Sequence, residues 1–347
     1  LGDVWLILQS VGVRNCYFPK LLNFFFEISQ GNTLVNFKMS GEESRLESFT
    51  SLEHKGVGVL YILFGSIGVT GNLIIFWIFW RERPLQAPRN IMHINLALAN
   101  TLALAPFAFS GSSSFYGKWL YGKTACTLYG IETFTAGTAA VGFVNILCVQ
   151  KLVETCCKDF ISKMSTGSMY ILATLNWIQA LGWALAPAFG WNSYTFESSG
   201  TACGLDWANR DYSHRSYHVA LCAMPGAMIV LSLICLKIAY SNLSEDSEDK
   251  KEVKDAPEDW FTDRQLFWIT TSLLVIMLIG WGPYGYMSFW SVVSEFGVPT
   301  SMASVLPPLF AKGGIMFYPI PYLVASQKFR ESFRRVILGV EKKQKSS

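Results

Sequence analysis

Residues 296–327 read FGVPTSMASVLPPLFAKGGIMFYPIPYLVASQ, and Lys312 carries the only charge in this stretch. A membrane-spanning helix needs about 20 predominantly apolar residues, so the stretch is long enough to cross a bilayer. An ionisable side chain in the middle of such a span costs roughly 2.5–3.5 kcal/mol on insertion scales. Because uncharged residues surround Lys312 on both sides, its amine cannot easily reach a membrane surface. We therefore expect this amine to be paired, neutralised or used covalently.

Six further stretches have the same apolar character. Charged residues make up 15% of the chain, against about 25% in typical soluble domains. The stretches carry no charge apart from Glu132, and they cover residues 56–80, 90–117, 124–150, 164–196, 216–236 and 265–294. We predict an all-α membrane protein with a bundle of seven transmembrane helices. The net charge of +3 gives no reason to expect a nucleic-acid partner.

Lysine and arginine residues are concentrated in the connections after the first, third and seventh spans. This bias predicts that these connections are cytoplasmic and that the N-terminus lies outside the cell or in a lumen. We divide the chain into an N-terminal segment (1–55), the bundle (56–325) and an amphipathic surface helix with a tail (326–347). The chain begins with Leu1, and Met39 opens a polar run. We expect that residues 1–38 are not native and that Met39 is a candidate start.

The chemistry of Lys312 suggests a covalent role. Burial in an apolar span favours the neutral amine, which is nucleophilic toward an aldehyde. A Schiff base is therefore one hypothesis, and a lysine facing a water-filled ion pathway is the alternative. Trp281 and Tyr284 flank Pro283 in the sixth span, and Tyr129 lies one turn into the third. Together with a lysine at the same depth, these aromatic residues predict an apolar pocket for a long conjugated ligand.

The cysteines add a second constraint. Of the eight cysteines, only Cys126 and Cys203 fall at the outer ends of spans or in outer loops. Because the outside is oxidising, we predict a disulfide between them. It would fold the loop that carries Cys203 over the pocket. The remaining cysteines are expected to be free thiols, and we predict no metal site.

Landmark motifs occur in order between residues 50 and 338. They are Asn72, Asn95-Leu96-Ala97-Leu98-Ala99-Asn100, Trp177, Pro225, Trp281-Gly282-Pro283-Tyr284 and Tyr318-Pro319-Ile320-Pro321-Tyr322. In this order and spacing they resemble the landmarks of rhodopsin-like G protein-coupled receptors. Lys312, six residues before Tyr318, lies where animal opsins bind retinal. The pattern is most similar to the branch formed by retinochrome, the retinal G protein-coupled receptor and peropsin.

The resemblance implies retinal as the chromophore, bound to Lys312 as a protonated Schiff base and in its all-trans form in the dark. It also implies that the retinal pocket includes Tyr129, Gly137, Trp281 and Tyr284.

A protonated Schiff base in an apolar pocket needs a negative partner. Tyr129 occupies the position of the counterion glutamate in vertebrate visual opsins. The other family position lies six residues before the loop cysteine and is Glu197 here. Glu132, three residues after Tyr129, is the alternative, because an intramembrane carboxylate is functional by default.

The signalling motifs depart from the family pattern. Gln150-Lys151-Leu152 stands where such receptors carry Glu/Asp-Arg-Tyr, and lysine lacks the guanidinium fork of arginine. We expect Lys151 to pair with Asp263, which would give a weakened lock. Tyr318 replaces the asparagine before Pro319, Tyr322 is retained, and Asn100 replaces the second-span aspartate.

The resemblance to the branch of retinochrome, the retinal G protein-coupled receptor and peropsin, which these departures strengthen, implies a photoisomerase that converts all-trans-retinal to 11-cis-retinal on Lys312. Its partners would be retinal, the lipid bilayer and a retinal-carrier protein, in the plasma membrane or in intracellular photoreceptor membranes. One alternative is a peropsin-like receptor that couples to a heterotrimeric G protein through divergent motifs. A third class is a retinal carrier, or a non-retinal receptor with an unrelated lysine.

Overall fold

The computed structural model describes residues 49–157, 165–249, 260–293 and 301–339. The candidate start Met39 and most of the N-terminal segment lie outside these residues. The described helices are α1 Ser51–Arg81, α2 Ile91–Leu104, α3 Phe107–Tyr116, α4 Gly122–Cys156, α5 Thr166–Leu185, α6 Tyr212–Asp249, α7 Asp263–Val293, α8 Ser301–Ile315, α9 Pro319–Ala325 and α10 Gln327–Leu338.

Six of the predicted spans are confirmed as helical segments that are long and apolar enough to cross a membrane. They cover Ser51–Arg81, Pro88–Tyr116, Gly122–Cys156, Thr166–Phe189, Tyr212–Ser244 and Asp263–Val293. The second span contains α2 and α3, because Pro106 begins a new helix after the first has ended. Proline cannot donate the backbone hydrogen bond that would continue a helix through this point.

The seventh span is built from α8 and α9, which are separated by a turn at residues 316–318. Pro307 and Pro308 lie within α8, and Pro319 opens α9. Lys312 lies in the last turn of α8. A Cβ on Gly314 would stand 3.1 Å from the Cα of Gly280 in α7. The paired glycines therefore let the two backbones pack closely, as small residues do between membrane helices.

Helix α4 occupies the centre of the bundle, where it contacts α2, α5, α6 and α7. Its buried residues include Phe143, Val144 and Leu147, which belong to the largest apolar cluster. Its burial agrees with this central position, since 67% of its most apolar window is buried.

Several landmark residues connect helices through buried hydrogen bonds. The Asn100 amide donates to Asn72 Oδ1 at 3.1 Å, and the Asn72 amide donates to the Ile315 carbonyl at 3.3 Å. Trp177 Nε1 donates to Asn95 Oδ1 at 3.1 Å. Because an unpaired polar group in an apolar interior is costly, these bonds fix the arrangement of α1, α2, α5 and α8.

A small hairpin interrupts the otherwise helical architecture. Strands β1 Tyr194–Phe196 and β2 Cys203–Leu205 pair in antiparallel register, with Phe196 opposite Cys203. The predicted disulfide between Cys126 and Cys203 is confirmed, and it joins β2 to the first turns of α4. Five further cysteines of the described chain are free thiols, as expected: Cys148, Cys156, Cys157, Cys222 and Cys235.

The amphipathic helix forms as α10, with Ser326 as its N-cap. Only part of its apolar side is exposed at the surface of the protein. Phe329 is fully buried and stacks on Tyr322 at a centroid distance of 5.7 Å, whereas Ile337 is 59% exposed. The helix is therefore attached to the bundle at its first turn, and its later turns leave apolar side chains at the surface.

Candidate functional site

Lys312 points into the bundle. Its Nζ donates a hydrogen bond to the Tyr129 hydroxyl at 2.8 Å. The same nitrogen lies 4.9 Å from the centre of the Tyr61 ring and 5.1 Å from that of Tyr129. Two aromatic rings and one hydroxyl therefore stabilise a positive charge here. We expected a partner for Lys312 because a charge in the middle of a span is costly. The partners are the two tyrosines, Tyr61 and Tyr129.

Tyr129 is held in place from the other side. Ser110 at α3 donates a hydrogen bond to the Tyr129 hydroxyl at 2.5 Å. Both residues are buried, and the Trp119 ring meets the Tyr129 ring edge-on at 5.4 Å. The phenol oxygen thus accepts from both Lys312 and Ser110, which fixes its position beside the amine.

A cavity adjoins Lys312 between the helices and the hairpin. Its empty space is about 540 Å³, a figure that includes space open to the outside. Gly137, Trp281 and Tyr284 line it, as the resemblance implies. Tyr129 instead lines a smaller neighbouring cavity, together with Tyr61 and Lys312. The remaining residues that line the larger cavity are Ala103, Gly130, Thr133, Phe134, Tyr194, Glu197, Cys203, Gly204, Leu205, Pro308, Ala311, Lys312 and Ile315.

Two glycines of α4 make room for the aromatic walls of this cavity. A Cβ on Gly137 would stand 2.6 Å from the Trp281 ring, and a Cβ on Gly130 would stand 2.3 Å from the Tyr194 ring. Both rings therefore lie against bare backbone. The Tyr194 hydroxyl donates to the Ala184 carbonyl at 2.8 Å, which fixes the hairpin on α5.

Glu197 follows β1 and lines the cavity from the hairpin. Its backbone N–H donates to the Ala202 carbonyl at 2.9 Å. Its Oε2 is buried and has no hydrogen-bond partner among the described residues. Burial raises the pKa of the Glu197 carboxyl, and the Lys312 ammonium and the Tyr61 hydroxyl partly offset this rise.

Glu132, the alternative carboxylate, is on α4. It is not among the described residues that line the cavity, although it interacts electrostatically with Lys312. One of its carboxylate oxygens is also buried without a hydrogen-bond partner in the described part of the chain. The structure thus brings both carboxylates within electrostatic range of the amine and places only Glu197 on the cavity wall.

The prediction that Lys151 pairs with Asp263 is wrong. Lys151 forms an ion pair with Glu154, one turn further along α4. Asp263 pairs with Arg89 at 2.5 Å, and Arg89 also lies 3.7 Å from Glu154. Glu154 reaches Lys151 because residues three apart on a helix share a face. Arg89, which precedes α2, therefore makes the ion pair with α7 that we predicted for Lys151 of α4.

The other residues of the two signalling motifs lie at the same end of the bundle as Lys151. The Gln150 amide donates to the Arg89 carbonyl at 2.9 Å, and Leu152 is half-buried. Tyr318 is buried in the turn before Pro319. The Tyr322 hydroxyl is 2.8 Å from His93 Nδ1.

Among the residues around Lys312 that the sequence does not identify are three with side-chain hydroxyls, Tyr61, Ser110 and Tyr194. Each lies in a charge-free stretch, where nothing in the composition distinguishes it from its neighbours.

Comparisons with known proteins all give similarity to rhodopsin-family proteins. A family model described as "7 transmembrane receptor (rhodopsin family)" matches residues 71–310. The human visual pigment-like receptor peropsin is 28% identical over 290 residues, which cover 82% of this chain and 85% of peropsin. Retinochrome of Todarodes pacificus is 27% identical over 279 residues, which cover 79% of this chain and 91% of retinochrome. The crystal structure of squid rhodopsin has a similar fold, with a TM-score of 0.75, 24% identity, and coverage of 88% of this chain and 91% of that one.

Proposed function

Because this chain belongs to the rhodopsin family of seven-transmembrane receptors, we propose that it is an opsin that binds retinal covalently at Lys312 and acts as a light-driven retinal isomerase. The observation that carries the proposal is the position of Lys312. It is the only charge between residues 296 and 327, and its side chain borders a cavity with aromatic walls. An amine in this position is suited to hold an aldehyde as a Schiff base.

The largely apolar and aromatic walls of the cavity suit an apolar ligand. Retinal supplies the absorption of visible light and a polyene whose double bonds isomerise. The chain supplies the walls: Trp281 and Tyr284 from α7, and the bare backbone of Gly137 from α4, against which the Trp281 ring rests. The hairpin, held by the disulfide to Cys126, covers one end of the cavity and limits access of water to the lysine.

Glu197 is the counterion in this proposal. It lines the same cavity as Lys312, has a carboxylate oxygen without a partner in the described chain, and interacts electrostatically with the amine. Glu132 remains the alternative, since it also acts on Lys312 through space. The substitution Glu197→Gln, compared with Glu132→Gln, separates the two assignments.

The preference for an isomerase over a signalling receptor rests on the opposite end of the bundle. Lys151 is bound to Glu154 and lacks the arginine fork that can serve several acceptors at once. Tyr318 and Asn100 replace two further residues of the usual signalling pattern. Peropsin, a receptor by name, and retinochrome resemble this chain to a similar extent, so a peropsin-like receptor with divergent coupling is the second candidate.

The proposal places the protein in the plasma membrane or in intracellular photoreceptor membranes, with its N-terminus outside or in the lumen. The excess of lysine and arginine after the first, third and seventh spans supports this orientation. An isomerase also requires delivery and removal of retinal, and a retinal-carrier protein is the partner that would perform both.

Two paired assays test the function. Purified protein incubated with all-trans-retinal should form a pigment in the dark, and chromophore extracted after illumination should be mostly 11-cis. Light should raise nucleotide exchange on added G proteins only slightly. A dark preference for 11-cis-retinal together with strong light-driven exchange would leave the receptor and exclude the isomerase.

The substitution Lys151→Arg is the matched variant for the coupling assay. Exchange that appears only in this variant would show that the natural lysine suppresses coupling, whereas exchange in neither protein would agree with an isomerase.

A further inference from the structure

Phe261 is a buried aromatic residue in the connection that leads into α7, and it is only 5% exposed. Its ring centre lies 6.4 Å from that of Phe79 in α1. It also lies 6.3 Å from the ring centre of Tyr322 in α9 and 5.6 Å from that of Phe329 in α10. Connections normally run over the surface of a protein, so an aromatic side chain inserted among three other elements needs an explanation.

Two polar contacts follow this ring along the chain. Asp263 pairs with Arg89 at 2.5 Å. The Gln265 side-chain amide donates to the Ala325 carbonyl at 2.7 Å, and its oxygen accepts from the backbone N–H of Thr262 at 2.8 Å. Helix ends leave backbone groups without partners in their own helix. The Gln265 side chain therefore serves a donor just before α7 and an acceptor at the end of α9.

Residues 260–265 therefore fasten the start of α7 to α1, α9 and α10, and we call them the clamp segment. Burial decides which of its contacts is strongest. The Asp263 side chain is 72% exposed, and exposed ion pairs contribute little to stability. The Phe261 ring is withdrawn from water and packs on other rings, and such aromatic side chains dominate the energetics of packed interiors. The clamp segment thus depends mainly on Phe261.

The helix that follows the clamp segment also forms a wall of the cavity. Trp281 and Tyr284 of α7 line that cavity, and Pro283 lies between them in the sequence, within the helix. A ligand that changes its shape in the cavity pushes on these two rings. Because proline is a common site of helix bending, α7 can yield at Pro283 while its start is held. Whether the start of α7 moves then depends on the clamp segment.

We propose that the clamp segment holds the start of α7 against α1, α9 and α10 both in the dark and after illumination. A partner that responds to light needs a protein surface that differs between the dark and the lit state. A fixed start of α7 keeps that surface the same, so isomerisation in the cavity is not passed to the opposite end of the bundle. The inference goes beyond the proposed function, because it assigns weak coupling to a contact within the chain. Its light-dependent part rests on that function.

Lys151 of α4 does not provide this restraint. Its ion pair is with Glu154 on the same helix, and a pair within one helix holds no second helix in place. Arg89 lies 3.7 Å from Glu154 and 2.5 Å from Asp263, so this link between α4 and α7 ends on an exposed aspartate. The Phe261 ring adds buried contacts with three further elements at the same point.

The distance between two spin labels tests the clamp segment in the full chain. A ketone-bearing amino acid at each of the exposed positions 264 and 334 takes one label and leaves the native cysteines unchanged. In the wild type, illumination of the pigment should change the distance by no more than about 2 Å, the size of an ordinary helix shift. In Phe261→Ala, illumination should lengthen it by roughly 5 Å, about one helical turn. The retinal-free variant should already show a broader distribution that includes the longer distance.

Phe267→Ala is the matched control. Phe267 is also buried, and its described ring contacts are with Tyr240 of α6 and with Trp268 of α7 itself. The variant should be less stable than the wild type, because a buried ring is lost, but its label distances should match those of the wild type. Phe261→Leu, which keeps an apolar side chain without the ring, should also lengthen the lit distance, and it decides the question where the alanine variant does not fold.

A wild-type distance that lengthens by roughly 5 Å on illumination would overturn the inference, and so would Phe261 variants with the distances of the wild type. Equal lengthening in Phe267→Ala would do the same, because it would indicate a general loosening of α7. If the wild type forms no pigment with retinal, the proposed function fails and the retinal-free distances decide alone. A longer distance in Phe261→Ala than in Phe267→Ala then supports the clamp segment, and equal distances overturn it.

Discussion

The contact between Gly137 and Trp281 provides a direct test of the cavity. In Gly137→Ala the new methyl would lie 2.6 Å from the indole, which is about 0.9 Å closer than the ~3.5 Å of an ordinary carbon contact. The indole must therefore move by roughly 1 Å, and the space on its free side is the cavity itself. The variant should lose both stability and room for retinal.

The size of the effect follows from two opposing contributions. Overpacking costs about 1–3 kcal/mol, and replacing a helical glycine with alanine returns about 0.5–1 kcal/mol. We expect the free energy of unfolding to fall by up to roughly 2.5 kcal/mol. Thermal denaturation of the retinal-free protein measures this change, and the absorbance of reconstituted protein measures the loss of pigment.

Gly182→Ala is the matched control, because Gly182 is also within a helix and a Cβ there would meet nothing within 4 Å. It should melt at or slightly above the wild-type temperature. Trp281→Phe, which shortens the ring, should reduce the penalty of Gly137→Ala by about 1 kcal/mol, within the range of coupling energies for residues in contact. A Gly137→Ala protein that melts with the control and forms full pigment would refute the described cavity wall.

Three further predictions concern the groups around the cavity and the opposite end of the bundle. Glu197→Gln should move the dark absorption of the pigment to the near ultraviolet at neutral pH, because the protonated Schiff base loses its counterion, and Glu132→Gln should not; the reverse result would transfer the role to α4. Cys203→Ser should lower stability by roughly 2–5 kcal/mol and prevent pigment formation, so full pigment yield would mean that other contacts hold the hairpin. Arg89→Asp and Asp263→Arg should each increase hydrogen exchange at the start of α7, by no more than the about 0–1 kcal/mol of an exposed pair. The double exchange of charges should restore part of the protection, since an acidic side chain at position 89 would also face Glu154. Equal exchange in all four proteins would rule out a role for this pair.

The spans and the lysine could be predicted because their physical basis is local. A charge-free stretch of sufficient length is costly to leave in water, and a single charge within it is costly to leave in lipid. The disulfide followed from compartment and position alone. These predictions needed no knowledge of which helices are neighbours.

The residues around the lysine depend on tertiary contacts. Tyr61, Ser110 and Tyr129 come from three helices, and α1 is apolar on all sides, so no periodic pattern marks the face of Tyr61. The strands of the hairpin are only three residues long, which is too short for an alternating pattern to appear.

The pair that Lys151 forms with Glu154 has a local signal in the sequence. Glu154 lies three residues further on the same helix, where an opposite charge is a natural partner. The partner of Asp263 had no such signal, because Arg89 is 174 residues away in sequence.

The attachment of retinal to Lys312 is tested most directly by borohydride reduction. Reduction of the dark pigment fixes the chromophore to its lysine, and mass spectrometry then identifies the modified peptide. We predict that the label lies on Lys312 alone and that Lys312→Arg, which keeps the charge but offers no reactive amine, takes up no label. Label on another lysine, or a normal visible spectrum in Lys312→Arg, would contradict the proposed function.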